Sequence, residues 1–146
     1  MRHRTYDILL VEPKSDSVSR FTDSFETSET PNNVTVVSTG DQALDYIDQH
    51  GDYTDAPRPD LVLLDYHLPE TSGIELLIEL KDRPELQHIP VLVLTSSDAT
   101  EEISRSYALH ANACLQKPDS ADEFDQMVQA IEDFWLNSVH FLPKEK

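Results

Sequence analysis

Four short apolar runs punctuate the chain: Ile8-Leu9-Leu10-Val11, Val34-Thr35-Val36-Val37, Leu61-Val62-Leu63-Leu64 and Val91-Leu92-Val93-Leu94. Each is continuous rather than alternating and is bounded by polar residues, proline or aspartate. That is the pattern of strands covered on both faces of a parallel sheet. A weaker fifth candidate spans residues 111–116. Between the runs, apolar positions recur at helical spacing. Val18, Phe21 and Phe25 share a face behind a Ser15 cap, and Ala43, Leu44 and Ile47 follow Thr39 and Gln42, which are spaced as a capping box. Ser72 and Glu75 open a third helix carrying Ile74, Leu77 and Ile78, with Pro84 set to end it. Ile103 and Tyr107 mark a short fourth. Ser120 and Glu123 open the last, where Phe124, Met127, Val128, Ile131 and Trp135 read as one core-facing stripe.

Strands alternating with helices in this way predict an α/β fold built from right-handed βαβ units around a parallel sheet. The 146 residues match one domain. The expected organisation is a single domain over residues 1–146, with a core at about 6–138 and a short tail at 139–146. Open sheets of this kind gather their chemistry outside the carboxyl ends of the strands, at the switch in strand order. Glu12, Asp65, Thr95 and Lys117 stand there.

Composition then removes whole classes of function. Twenty-eight Asp and Glu against eleven Lys and Arg give a formal charge of −17, which opposes nucleic acid or an anionic membrane face as a partner. Most of that excess reads as solvated surface, with salt adaptation or a basic protein partner as the sharper readings. The one cysteine, Cys114, can form neither an internal disulfide nor a cysteine-built zinc site. Three well-separated glycines, Gly40, Gly51 and Gly73, exclude the glycine-rich nucleotide loops. The six histidines show no metal-ligand spacing. No apolar run approaches the roughly 18 residues of a membrane span, and the opening residues lack the apolar stretch of a signal peptide.

The strand-end residues carry the remaining information. A carboxylate (Asp65), a hydroxyl (Thr95) and an ammonium (Lys117) on neighbouring strand ends can surround one phosphoryl group, the carboxylate as nucleophile and the others holding its oxygens. A hard divalent cation would offset the like charges of acceptor and phosphoryl group.

With these residues the chain resembles the receiver domain of two-component response regulators over about residues 6–138. The resemblance rests on four pieces in order: the acid Glu12 after strand 1, Asp65/Pro69/Gly73 after strand 3, Thr95 after strand 4, and Lys117-Pro118 after strand 5. The long stretch at residues 48–60 resembles the stand-alone receivers that serve phytochrome-type and archaeal sensor kinases. The family implies a three-layer, flavodoxin-like fold whose five strands run in the order 2-1-3-4-5, with five helices. It implies a cytoplasmic phosphorelay protein rather than an enzyme, with a sensor histidine kinase as phosphodonor and a downstream protein as target. Asp65 would be the phospho-acceptor, Lys117 would pair with it, and Thr95 would bind a phosphoryl oxygen. Mg²⁺ would be held by Glu12, Asp65 and the backbone carbonyl of His67, and the Lys117–Pro118 bond would be cis.

Two positions, Pro13 and Cys114, depart from the family. Pro13 stands where a second acid usually ligates the metal, which predicts weakened Mg²⁺ binding and slower phosphorylation, with Glu12, or less directly Asp16, as substitute. Cys114 stands where an aromatic residue usually follows the switching hydroxyl, and a buried thiol is the expected role. His67 and Ser97 lie two residues after Asp65 and Thr95 and do not obviously orient a hydrolytic water, which predicts a long-lived phosphorylated state. Phe134, Trp135, Leu136 and Phe141 leave two readings for the last helix, core packing or contact with a second copy or another partner.

Two functional readings follow. The first is a phosphorelay receiver that signals by protein contact. The second is a phosphorylation-independent interaction module, supported by Pro13 and Cys114 and opposed by the intact Asp65, Thr95 and Lys117. A flavoenzyme on the same sheet order is disfavoured by the acids in the loop after strand 1.

Overall fold

A computed structural model describes residues 5–69, 72–96 and 100–136. Five parallel strands form one sheet in the order β2-β1-β3-β4-β5: β1 (Tyr6–Val11), β2 (Asn32–Val37), β3 (Leu61–Asp65), β4 (Val91–Thr95) and β5 (Ala113–Gln116). Between and after them run α1 (Ser15–Glu26), α2 (Gly40–Asp48), α3 (Gly73–Asp82), α4 (Thr100–Ala108) and α5 (Ala121–Ile131).

The continuous apolar runs become two cores, because successive strand residues point to opposite faces. Leu9, Val11, Val62, Leu64, Val91 and Val93 meet Ala43, Tyr46 and Ile47 of α2 and Ile74, Leu77 and Leu80 of α3 on one face. Ile8, Leu10, Leu61, Leu63, Leu92 and Leu94 meet Phe21 and Phe25 of α1 and Phe124, Val128 and Ile131 of α5 on the other. Phe21 and Phe124 interlock edge to face with ring centroids 5.0 Å apart. Helix α4 is the exception, since Ser106 is its one buried residue.

Several local expectations need correction. The run beginning at Val34 is an edge strand that starts at Asn32, and Val37 is its one buried residue, because an edge has a neighbour on one side only. The fifth strand starts at Ala113 and is likewise half-buried at the other edge, Ala111 being buried in the turn before it. Ser15 is the first residue of α1 rather than its cap; Lys14 holds that position without a side-chain hydrogen bond. Ile78 is exposed while Leu76 and Leu80 are buried, since four residues along a helix turn a side chain about 40° past Ile74, off the buried face.

Other expectations hold. The Thr39, Ser72 and Ser120 side chains accept from the N–H groups of Gln42, Glu75 and Glu123. Arg83, forced extended by Pro84, closes α3. At the far end, α5 passes into a π-helical turn at Glu132–Leu136, which carries Leu136 rather than Trp135 into the core and leaves Phe134 outside. Glu132 is buried in that turn beneath the Ser28 hydroxyl, which donates to its Oε2, and burial raises its pKa. No helix among the described residues is long and apolar enough to cross a membrane.

Candidate functional site

The parallel register brings the carboxyl ends of β1, β3, β4 and β5 to one edge of the sheet. Hydrogen bonds then carry each chain one step past its strand: Glu12 N–H to the Val37 carbonyl (2.9 Å), Tyr66 N–H to Leu94 (2.8 Å) and Lys117 N–H to Thr95 (2.7 Å). Glu12, Asp65 and Lys117 converge there. Lys117 Nζ lies 2.7 Å from Asp65 Oδ2 and 2.7 Å from Glu12 Oε1, with the three side chains at most 8 % exposed. The remaining Asp65 oxygen, Oδ1, accepts the His67 N–H at 2.8 Å.

One ammonium therefore stands between two buried carboxylates. Burial, reinforced by the Asp65 carboxylate, pushes the Glu12 carboxyl up to about 7 despite the opposing pull of Lys117. Glu12 Oε2 accepts the Lys14 N–H at 3.2 Å. Glu12 Oε1 is held by its ion pair with the ammonium and has no other partner among the described residues. Two buried carboxylates that share a single ammonium leave a site that fits a hard cation. Among the described residues no three His, Cys, Asp or Glu side chains gather as a ligand set. Backbone carbonyl and water would have to complete the sphere, and Mg²⁺ accepts such ligands readily.

Thr95 lies at the end of β4 and is 1 % exposed, yet its hydroxyl is not turned on Asp65. It donates to Glu102 Oε1 of α4 at 2.8 Å, and the other oxygen of Glu102 lies 3.1 Å from His67 Nε2. Sequence reasoning missed Glu102. Its only signal, two acids in the first turn of a helix, is the common way of complementing the helix dipole.

Cys114 is half-buried against α4; burial raises its thiol pKa, and the Glu102 carboxylate adds to the rise. That opposes a reactive thiolate. Its N–H donates to the Tyr107 hydroxyl at 3.1 Å. The expected cis bond is corrected: Lys117–Pro118 is trans, the intrinsically favoured isomer, and the ammonium reaches both acids from it. Asp16 is exposed and lines a cleft of about 290 Å³ beside the site with Lys14, Arg20, Ser96 and Lys117. Ser97 and Phe141 lie outside the described residues.

The profile of the response regulator receiver domain matches residues 8–129. Response regulator Rcp1 of Synechocystis sp. is 39 % identical over 132 residues, covering 90 % of each protein. The probable methanogenesis regulatory protein FilR2 of Methanothrix harundinacea is 35 % identical over 130 residues, covering 88 % of this chain and 83 % of that one. The crystal structure of the Mn(2+)-bound form of Rcp1 superposes with a TM-score of 0.86 at 37 % identity, over 94 % of this chain and 99 % of that one. The phosphorylated cyanobacterial phytochrome response regulator RcpA gives 0.90 at 36 % identity, over 96 % and 100 %. The chain belongs to the response regulator receiver family, with its flavodoxin-like fold, and is a receiver domain of two-component phosphorelay signalling rather than a conventional enzyme.

Proposed function

We propose that Asp65 is the phospho-acceptor, receiving its phosphoryl group from the phosphohistidine of a sensor histidine kinase. The observation that carries this reading is the Glu12–Lys117–Asp65 cluster at the strand ends. An Asp65 carboxylate oxygen attacks phosphorus, the P–N bond of the phosphohistidine breaks, and the departing imidazole nitrogen takes up a proton. Lys117 offsets charge on the acceptor and on the transferred oxygens, and the Thr95 hydroxyl binds one of those oxygens. Lys14, Arg20 and Lys117 line the adjacent cleft against Asp16 and Asp119, so it is locally less acidic than a chain of net charge −17 and opposes an anionic donor less.

Glu12, Asp65 and the His67 backbone carbonyl would hold Mg²⁺, which when bound neutralises charge between acceptor and phosphoryl group. Pro13 supplies no carboxylate, so we assign this chain weaker Mg²⁺ affinity and slower phosphorylation. The same reading places it in the cytoplasm, with a downstream protein target reached by contact. It also allows self-association at the end of α5, where Phe134 is 58 % exposed and stacks edge to face on Trp135.

The test is incubation with Mg²⁺ and a small acyl phosphate, followed by intact mass, with Asp65→Asn as control. An acid-labile gain of one phosphoryl group, absent in the control, supports the reading. No adduct at any salt concentration leaves the phosphorylation-independent interaction module in its place.

A further inference from the structure

The Thr95 hydroxyl has a single proton, and it is committed to Glu102 Oε1 at 2.8 Å. Thr95 is 1 % exposed, so water is a poor substitute partner. A phosphoryl oxygen on Asp65 can receive that proton only if Glu102 gives it up. The carboxylate also repels the incoming phosphoryl charge, so hydrogen bonding and electrostatics favour the same exchange.

Glu102 is tied to α4 and to two parts of the site at once. Its Oε2 lies 3.1 Å from Nε2 of His67, whose own N–H is fixed on Asp65 Oδ1 at 2.8 Å. Its backbone carbonyl accepts the hydroxyl of Ser106, the one buried residue of α4, at 2.8 Å. The other helices are held by buried apolar side chains, whereas α4 has none. Polar contacts at its first turn therefore carry much of its attachment, and Glu102 makes two of them.

We propose that Glu102 is a positioning residue that competes with the phosphoryl group for the Thr95 hydroxyl, so that phosphorylation of Asp65 unlatches α4. This rests on Asp65 being the acceptor. In the resting state Glu102 holds Thr95 away from the acceptor and holds α4 against the ends of β3 and β4. When Thr95 turns to the phosphoryl oxygen, Glu102 loses one partner and keeps only the more exposed His67 contact.

The test compares the parent with Glu102→Ala, Glu102→Gln, Thr95→Val and the Thr95→Val/Glu102→Ala double variant, at fixed Mg²⁺ and acyl phosphate. Glu102→Ala should raise the steady-state ratio of phosphorylated to unphosphorylated protein by roughly three- to tenfold, as expected for loss of one partly exposed charge-assisted hydrogen bond. The gain should vanish in the Thr95→Val background. Glu102→Gln, which keeps an acceptor for Thr95 without the charge, should fall between. Amide resonances of α4 should shift on phosphorylation of the parent and already be displaced in unphosphorylated Glu102→Ala.

An unchanged ratio in Glu102→Ala, or an equal gain with and without the Thr95 hydroxyl, overturns the latch while leaving the acceptor reading intact. Absence of any Asp65-dependent adduct in the parent overturns both.

Discussion

Gly73 lies so close to the backbone carbonyl of Asp65 that a Cβ on it would stand 2.1 Å from the Asp65 oxygen. The Gly73 N–H in turn donates to the Tyr66 carbonyl at 2.9 Å. The first residue of α3 thus clamps the chain on which the candidate acceptor sits. Gly73→Ala must move backbone, since no flexible side chain can yield. We expect a loss of about 2–4 kcal/mol of stability, read as a lower urea midpoint, and slower phosphorylation at temperatures where the variant is still folded.

Lys117→Met removes the one ammonium between two buried carboxylates. We expect destabilisation of about 3 kcal/mol near pH 8, above the Glu12 pKa of about 7, and a smaller loss near pH 5, where Glu12 is protonated. Denaturation at the two pH values checks the difference, and equal losses would contradict it.

Glu12 has its own pH signature. Its folded pKa, about 7, lies above the ordinary 4.5, so the folded state binds more protons than the unfolded state between those values. Stability contributed at this site is therefore greatest at low pH and declines as pH rises through the window. In chelator, the parent should lose on the order of 2–3 kcal/mol relative to Glu12→Gln between about pH 5 and about pH 8. Added Mg²⁺ should recover part of the loss in the parent and less in Glu12→Gln.

Lys81 is a structural cation well away from the site. Its ammonium donates to the Gln87 carbonyl (3.1 Å), the Ile89 carbonyl (3.0 Å) and Asn112 Oδ1 (3.0 Å), joining α3, the loop before β4 and the approach to β5. The same Asn112 oxygen accepts the Val91 N–H at 2.8 Å. Lys81→Met should cost about 1–3 kcal/mol in thermal or urea denaturation while leaving phosphorylation of the folded protein unchanged.

The central strands were legible because β1, β3 and β4 are buried on both faces, so every residue of their runs is apolar. The edge strands were less so, since Asn32 and Asn33 extend β2 through ladder pairing with Tyr6 and Asp7 that no hydrophobic pattern records. Glu12, Asp65 and Lys117 could be found because strand ends in a parallel sheet must meet. Glu102 could not, because which partner a helix-borne carboxylate finds depends on how that helix is seated, and α4 has no apolar stripe deep enough to define its seat. The π-helical turn escaped for a related reason: a strict helical period carried Trp135 inward, whereas burial of Glu132 and Leu136 rotated it partly out.

The sparse burial of α4 also bears on how this domain melts. An element without buried apolar anchors opens locally at a free energy well below that of global unfolding. Backbone amides of α4 should therefore exchange with solvent far sooner than those of β1, β3 or β4. Such a helix can fray, re-form or settle against a partner without spending the cohesion of either core. Its outward face is correspondingly free to change sequence, and with it the choice of binding partner, while the scaffold beneath stays intact.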